Sequence, residues 1–241
     1  MSRPQTQSAL FCDPVFVKAR KLQGFAVYLK FRVHFEQVFR AAVKAGWYED
    51  PQLEHLGFGT VNGKDGKPFT TRDGGTLKLS DLTSMMRDAA QKRLDENGFG
   101  QDFDASERAD IANKVGMAAL KFADLQNQRT TNYIFDIDRF TAFEGKTGPY
   151  LLYARVRIYR LLQRAISEGV LAGQIFVSNE EERNLVLKLD EFNSVLHNTA
   201  ESYMPHILCD HTYGLAQVFS RFYDKCPIFG ENVDVTQKQS R

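Results

Sequence analysis

A chain of 241 residues that is 43% hydrophobic and 25% charged has the make-up of an ordinary globular protein, with room for one large domain or two smaller ones, and is neither disordered nor fibrous in composition. Its formal net charge of +1 excludes a global basic field, so any nucleic-acid contact must come from local cations. Three widely spaced cysteines (Cys12, Cys209, Cys226) with no CxxC argue against a disulfide framework, and no stretch has the length of a membrane span or the layout of a signal peptide, which together predict a cytoplasmic protein.

In chain order, residues 1–33 carry the poorest signal, although Phe25–Leu29 with Phe31 is an apolar run that fits a strand. From His34 the pattern improves: Phe35, Val38, Phe39, Ala42 and Val43 share a helical face, and Gly46 supplies a left-handed C-cap. LEHLGFGTV, Leu53 to Val61, reads as a strand bounded by Pro51 and Asn62-Gly63. The polar loop Asn62 to Thr76 holds four glycines with Lys64, Lys67 and Arg72. Such a loop can wrap phosphates, but NGKDGK is also ordinary hairpin chemistry, and without a GK[ST] ending it is not a P-loop.

Helices are expected from there on. Ser80 is placed to N-cap one running to about Asn97 and stopped by Gly98, and Asp104 or Ser106 starts another through Ile111, Val115, Ala118, Ala119 and Phe122. Asn132 to Asp136 reads as a short extended piece before a brief helix at Asp138 to Phe143. Gly145, Gly148 and Pro149 then open a helix whose Leu151, Ala154, Ile158, Leu161 and Ala165 form a buried stripe, with Leu152, Leu162 and Ile166 beside it. Arg157, Arg160 and Arg164 fall on another face, and Tyr150 and Tyr153 stand one turn apart at its start. This pattern fits two readings, an RNA contact or a plain solvated amphipathic helix. Ser178 and Glu181 form a capping box ahead of a face of Leu185, Leu189, Phe192 and Leu196. Pro205 to Tyr223 reads as the last long helix, and Glu231 to Arg241 as a flexible tail.

Little in these residues is enzymatic by itself. In a helix, His206 and His211 are five apart and point apart, and Cys209 and Cys226 lack the paired spacing of zinc modules, so no metal site is expected. No GxSxG elbow or comparable nucleophile context is present. Asp136 and Asp138 fit a turn and a helix cap.

Three blocks carry more when taken together. LEHLGFGTVNGKDGKPFTTRDGGTLKLSDL, KFADLQNQRTTNYIFDIDRFTAFEGKTGPYLLYARVRI and LAQVFSRFYDKCPIFG, in this order and spacing from about His34 to Gly230, strongly resemble arginyl-tRNA synthetases, class I enzymes that join arginine to its tRNA with ATP. The resemblance implies a mostly α chain. Residues 34–80 would be part of the second half of a class I Rossmann catalytic domain, 81–230 an anticodon-binding helical bundle, 1–33 a poorly defined lead segment and 231–241 a tail.

The resemblance also implies roles. Lys67, Thr70, Thr71 and Arg72 match the family's class I signature loop, which covers the phosphates of ATP (with Mg). Tyr150, Tyr153 and Arg157 match the bundle helix that meets the tRNA anticodon stem-loop, where aromatic rings suit unpaired bases. The sequence also departs from the family pattern. The HIGH-type motif and the first half of the nucleotide fold are not found, YLKFRVHF puts Tyr28 and Phe31 where the family carries polar residues, Thr70 stands where lysine is frequent, and the closing C-terminal helix is not present. The expectation is therefore a truncated homologue that retains mainly tRNA binding, with little catalysis of its own. Two alternatives are a non-catalytic tRNA-binding or protein-interaction module, and a subunit of a split synthetase whose partner polypeptide supplies the missing catalytic half.

Overall fold

The computed structural model describes residues 23–28 (backbone), 32–47, 53–68, 78–230 and 233–241, which divide into two compact units. The first holds the described residues up to 68 together with Asn127–Asp136; the second holds Lys78–Gln126 and Ile137–Arg241.

The first unit is built on a β-α-β arrangement. Strand β1 (Gln23–Tyr28) runs parallel to β2 (Leu53–Phe58) in the register Gln23↔Leu53 to Tyr28↔Phe58, with helix α1 (Arg32–Lys44) between them in sequence. The apolar run near Phe25 is thus a strand, and its partner lies after it in the chain. Parallel strands require such a crossover because the chain must return to the starting edge. Phe35 of α1 sits 5.7 Å from the His55 ring of β2, and Gly46, at φ 72°, ends the helix in the left-handed conformation.

Strand β3 (Val61–Asn62) pairs in parallel with β4 (Tyr133–Ile134), about seventy residues later in the chain. The lacing extends beyond the strands. Gly59 N–H donates to the Arg129 carbonyl (2.8 Å), Thr60 N–H to Asn132 Oδ1 (2.8 Å), and the Arg129 guanidinium to the Gly57 carbonyl. A Cβ on Gly59 would stand 2.1 Å from the Thr131 carbonyl oxygen, so the close approach needs glycine. Residues 127–136 therefore join the first unit, although they lie within the stretch read as helical bundle. The extended piece expected at Asn132 to Asp136 is thus a strand, and the strand expected from Leu53 to Val61 is divided at Gly59 and Thr60; which strand pairs with which is set only by the distant contact.

The second unit is helical. Helix α2 (Leu79–Glu96) packs along α3 (Ala105–Leu125) through small residues: Ala90, Ala112, Ala119 and Ala123 are buried, and a Cβ on Gly116 would meet the Met86 carbonyl at 2.8 Å. Ser80 lies inside α2 rather than capping it; the N-cap position is Lys78, and Asp81 Oδ2 accepts the Lys78 N–H. Asp104 caps α3 as expected, accepting from Glu107 N–H at 2.8 Å. After the short α4 (Ile137–Phe140) come α5 (Gly148–Ser167), α6 (Glu180–Asp190), α7 (Phe192–Ser202) and α8 (Pro205–Lys225). Phe219, Phe222, Cys226 and Ile228 form the core at the end of α8, joined by Leu161, Leu185 and Phe229. Among the described residues no helix is long and apolar enough to cross a membrane.

Three local expectations shift. The N-cap of α6 is Asn179, which accepts from Glu182 N–H (2.9 Å), one residue after the anticipated Ser178; Glu182 in turn accepts from Ser178 N–H (2.6 Å). The anticipated face of Leu185, Leu189, Phe192 and Leu196 is divided between α6 and α7, and only Leu185 joins the core, since Leu189, Phe192 and Leu196 are exposed. The tail is also not wholly frayed: Val235–Ser240 form α9, capped by Asp234. The physical reason is Arg241, whose guanidinium Nε donates to Glu182 Oε1 at 2.7 Å and whose NH1 donates to the Pro227 carbonyl at 2.7 Å. Side chains of Arg241 and Glu182 are 10% and 6% exposed, so both charges are taken from water together.

Two buried groups give acid sensitivity in separate windows. His211 is buried with neither ring nitrogen hydrogen-bonded; burial and then Lys188 push its pKa below the ordinary 6.5, against the pull of Glu191, 3.6 Å away. The unfolded chain thus binds this proton more readily, and stability falls as pH drops below that ordinary value. At Glu182 burial acts upward, but the Ser178 N–H and Arg241 outweigh it and hold the carboxyl below its ordinary 4.5, so its contribution is present above that value and lost as pH falls through the folded pKa. His211→Phe should therefore flatten the loss of melting temperature between about pH 7.5 and about pH 5.5, leaving the steeper loss at lower pH. Glu182→Ala should cost about 3 kcal/mol in urea unfolding at neutral pH, because it strands Arg241; a cost below about 1 kcal/mol would mean that the pair is solvated.

Candidate nucleic-acid interface

The start of α5 is fixed by its cap. Thr147, buried, donates its hydroxyl to the Ala142 carbonyl (2.7 Å) and accepts from Tyr150 N–H (3.2 Å), while Pro149 occupies the first turn, where no amide hydrogen is needed. Gly148 brings this end onto α3: a Cβ there would lie 2.3 Å from the Ala118 carbonyl oxygen. The N-terminal turn of α5 is thus locked, and with it the points on the backbone from which Tyr150, Tyr153 and Arg157 project.

These three side chains have different surroundings. Tyr150 is half-buried and meets Tyr213 of α8 edge-on at 5.5 Å. Tyr153 is 46% exposed and lies nearly parallel to Phe99, with centroids 6.4 Å apart and planes at 23°. Arg157 is pinned on α8: its guanidinium lies 4.3 Å above the Tyr223 ring, 5.9 Å from Tyr153 and 3.3 Å from Asp224 Oδ1. The arginine face anticipated from the sequence is therefore not uniform. Arg164 pairs with Glu168 and stacks on Phe229 at 4.4 Å, whereas Arg155 and Arg160 are exposed. The buried stripe is also narrower than expected. Ala154 is buried and Leu151, Leu161 and Ala165 are half-buried, but Leu162 and Ile166 are 55% and 69% exposed.

Phe99, Tyr223 and Asp224 are contributors that sequence reasoning did not single out. A phenylalanine between Gly98 and Gly100 just past a helix was the available signal; the ring it would meet lies fifty-four residues away and leaves none.

Of the signature-like loop, Lys67 lies among the described residues, and Thr70, Thr71 and Arg72 lie outside them. The turn before it is closed on itself: Gly63 N–H donates to the Lys67 carbonyl (2.8 Å), Gly66 N–H to the Gly63 carbonyl (2.9 Å) and Lys67 N–H to Asp65 Oδ1 (3.1 Å). These three amides are not free to wrap a phosphate, and the described part of the loop offers a nucleotide the exposed Lys67 ammonium. Among them no group of three or more His, Cys, Asp or Glu is placed to hold a metal ion. Cys226 is buried with its Sγ 3.4 Å from Asn179 Oδ1, and burial pushes the Cys209 thiol up to about 11, making both poor ligands and poor nucleophiles.

Two family profiles match the chain. That of the tRNA synthetases class I (R), catalytic domain, covers residues 20–137, and that of the DALR anticodon binding domain covers residues 151–241. The chain belongs to the arginyl-tRNA synthetase family. It is 58% identical over 195 residues to an arginine–tRNA ligase of Maricaulis maris, covering 81% of this chain and 33% of that protein. To the arginine–tRNA ligase of Hyphomonas neptunium it is 54% identical over 209 residues, covering 87% of this chain and 35% of that one. The chain thus spans about a third of the length of these relatives. The same fold occurs in the arginyl-tRNA synthetase of Thermus thermophilus, with TM-score 0.72, 21% identity and coverage of 91% and 37%. It occurs also in that of Plasmodium falciparum, with TM-score 0.71, 22% identity and coverage of 94% and 38%. The mostly α architecture with a partial α/β portion is that of this family.

Because Gly148 abuts backbone rather than a flexible side chain, Gly148→Ala should cost about 1–3 kcal/mol through displacement of α5 from α3. A melting temperature equal to that of the unsubstituted protein would mean that the crossing can relax.

Proposed function

We propose that this chain is a tRNA-binding portion of an arginine–tRNA ligase, and that the end of α5 meets unpaired bases of the anticodon loop. The observation that carries the reading is Tyr153, an exposed ring on a locked helix end, inside the region that adjoins and enters the anticodon-binding match. A base can stack on such a ring whatever its identity, and phosphates are within the reach of exposed cations such as Arg155 and Arg160 on the same helix. Arg157, neutralised by Asp224 and held between tyrosines, buttresses the ring wall while presenting an N–H edge.

The reaction of the relatives, attachment of arginine to its tRNA with ATP and Mg, is assigned to the whole enzyme rather than to this chain alone. Adenylate formation needs donors positioned from both halves of a class I cleft. Lys67, Thr70, Thr71 and Arg72 are proposed to cover the ATP phosphates once that cleft is complete. The tRNA is proposed to be the arginine acceptor, and the compartment the cytoplasm, where protein synthesis takes place.

A second reading, a subunit completed by another polypeptide, is favoured by the β1–β2 pair. Parallel sheets occur with both faces covered, and among the described residues β1 and β2 make a two-stranded sheet, which is marginal alone. Light scattering that shows a clean, non-aggregating monomer would count against it.

The purified chain should give no arginine-dependent ATP/pyrophosphate exchange above a buffer blank, yet bind arginine tRNA with an affinity that falls steeply with salt. Tyr153→Ala should weaken that binding about tenfold, the loss expected for one stacked base. Unchanged affinity in this variant would remove the anticodon-loop assignment, and exchange above the blank would overturn the reading of the chain as non-catalytic by itself.

A further inference from the structure

The proposed interface leaves Phe99 unexplained. It sits in the connection between α2 and α3, whose geometry is a Schellman motif: Gly98 N–H donates to the Asp95 carbonyl at 3.1 Å and Phe99 N–H to the Leu94 carbonyl at 2.9 Å. An apolar residue at this position ordinarily folds back over the last turn of its own helix. Phe99 remains 40% exposed, and its ring contacts lie elsewhere: Phe143 meets it edge-on at 5.3 Å and Tyr153 lies nearly parallel at 6.4 Å. Gly98 (φ 66°) and Gly100 (φ 72°) flank it in the left-handed conformation, so the turn presents one aromatic side chain outward on a backbone that other residues adopt only under strain.

The contacts run across three segments. Phe143 meets Phe99, Phe99 lies along Tyr153, and the guanidinium of Arg157, itself held by Asp224, stands 5.9 Å from the Tyr153 ring centroid. An exposed tyrosine samples two χ1 wells or more unless neighbours exclude the alternatives, and a base stacks productively on one orientation. A ring against Tyr153 removes that freedom before RNA arrives.

We propose that Phe99 is a positioning residue for RNA: from the Gly98–Phe99–Gly100 turn it holds the Tyr153 ring in the orientation on which an unpaired base stacks. The inference rests on the reading of Tyr153 as a base platform. It brings the α2–α3 connection, which precedes the anticodon-binding match, into the RNA interface.

The test uses fluorescence anisotropy on the full chain with a labelled RNA hairpin reproducing the anticodon arm of an arginine tRNA, and a fully paired RNA duplex of the same length. Phe99→Leu, which keeps apolar bulk but removes the ring, should weaken hairpin binding by about three- to tenfold and leave duplex binding and the melting temperature unchanged. Phe99→Tyr should restore hairpin binding to within about twofold, because the ring is retained. With Tyr153→Ala already present, Phe99→Leu should add nothing, since a positioning residue has no effect without the group it positions. Full affinity in Phe99→Leu, losses that multiply in the double variant, or an equal loss on the duplex would each overturn the inference. If Tyr153→Ala loses affinity and Phe99→Leu does not, the role of Phe99 alone falls. If Tyr153→Ala binds the hairpin normally, the stacking platform falls and the inference falls with it.

Discussion

The crossing of α5 over α3 at Gly148 is the constraint on which the candidate interface depends. Hydrogen in place of a side chain lets the α5 backbone rest on the Ala118 carbonyl, and Thr147 closes the turn with one accepted and one donated hydrogen bond. A helix end held this way cannot fray or rotate, so the Cα–Cβ directions along its first three turns are fixed, and neighbouring side chains choose among the rotamers. Tyr150 is directed against Tyr213, Tyr153 along Phe99 and Arg157 onto Tyr223. The aromatic wall is consequently shared among the α2–α3 turn, α5 and α8, and rigidity in one element is passed to the next by ring contact.

Charge is used sparingly in this arrangement. The chain is almost neutral overall, and several cations on the bundle are already committed: Arg157 to Asp224, Arg164 to Glu168, Lys146 to Asp210 and Arg241 to Glu182. A committed arginine stacked on tyrosine contributes shape and a polarised edge more than a mobile phosphate contact. In the proposed binding mode, recognition through such a wall would depend on stacking of unpaired bases, with exposed cations supplying the salt-sensitive part.

The two units also differ in how they are held together. The helical unit has its own core at the end of α8 and a small-residue seam between α2 and α3, whereas the described residues of the first unit hold α1 and two parallel strand pairs, with backbone hydrogen bonds across long sequence separations. The excursion at 127–136 commits part of the chain between α3 and α4 to the first unit, so the units are connected by two chain passages in addition to the covalent link before α2. Such non-local pairing costs loop-closure entropy, and the Gly59 amide and the Asn132 side chain supply the bonds that offset it.

The sequence by itself determined much of this protein. The helix starts at Asp104 and Pro149, the left-handed Gly46, the strand at Leu53 and the family likeness all follow from local stereochemistry or from ordered motifs, which need no knowledge of distant residues. Tertiary structure alone decided the rest. It assigned 127–136 to the sheet side, committed Arg157 to Asp224, exposed Leu162 and Ile166, turned part of the expected tail into a capped helix and set Phe99 against Tyr153. In each case the deciding partner is remote in sequence. Helical periodicity reports which residues share a face, and the partner that covers that face, or leaves it open, is chosen only when the helices pack.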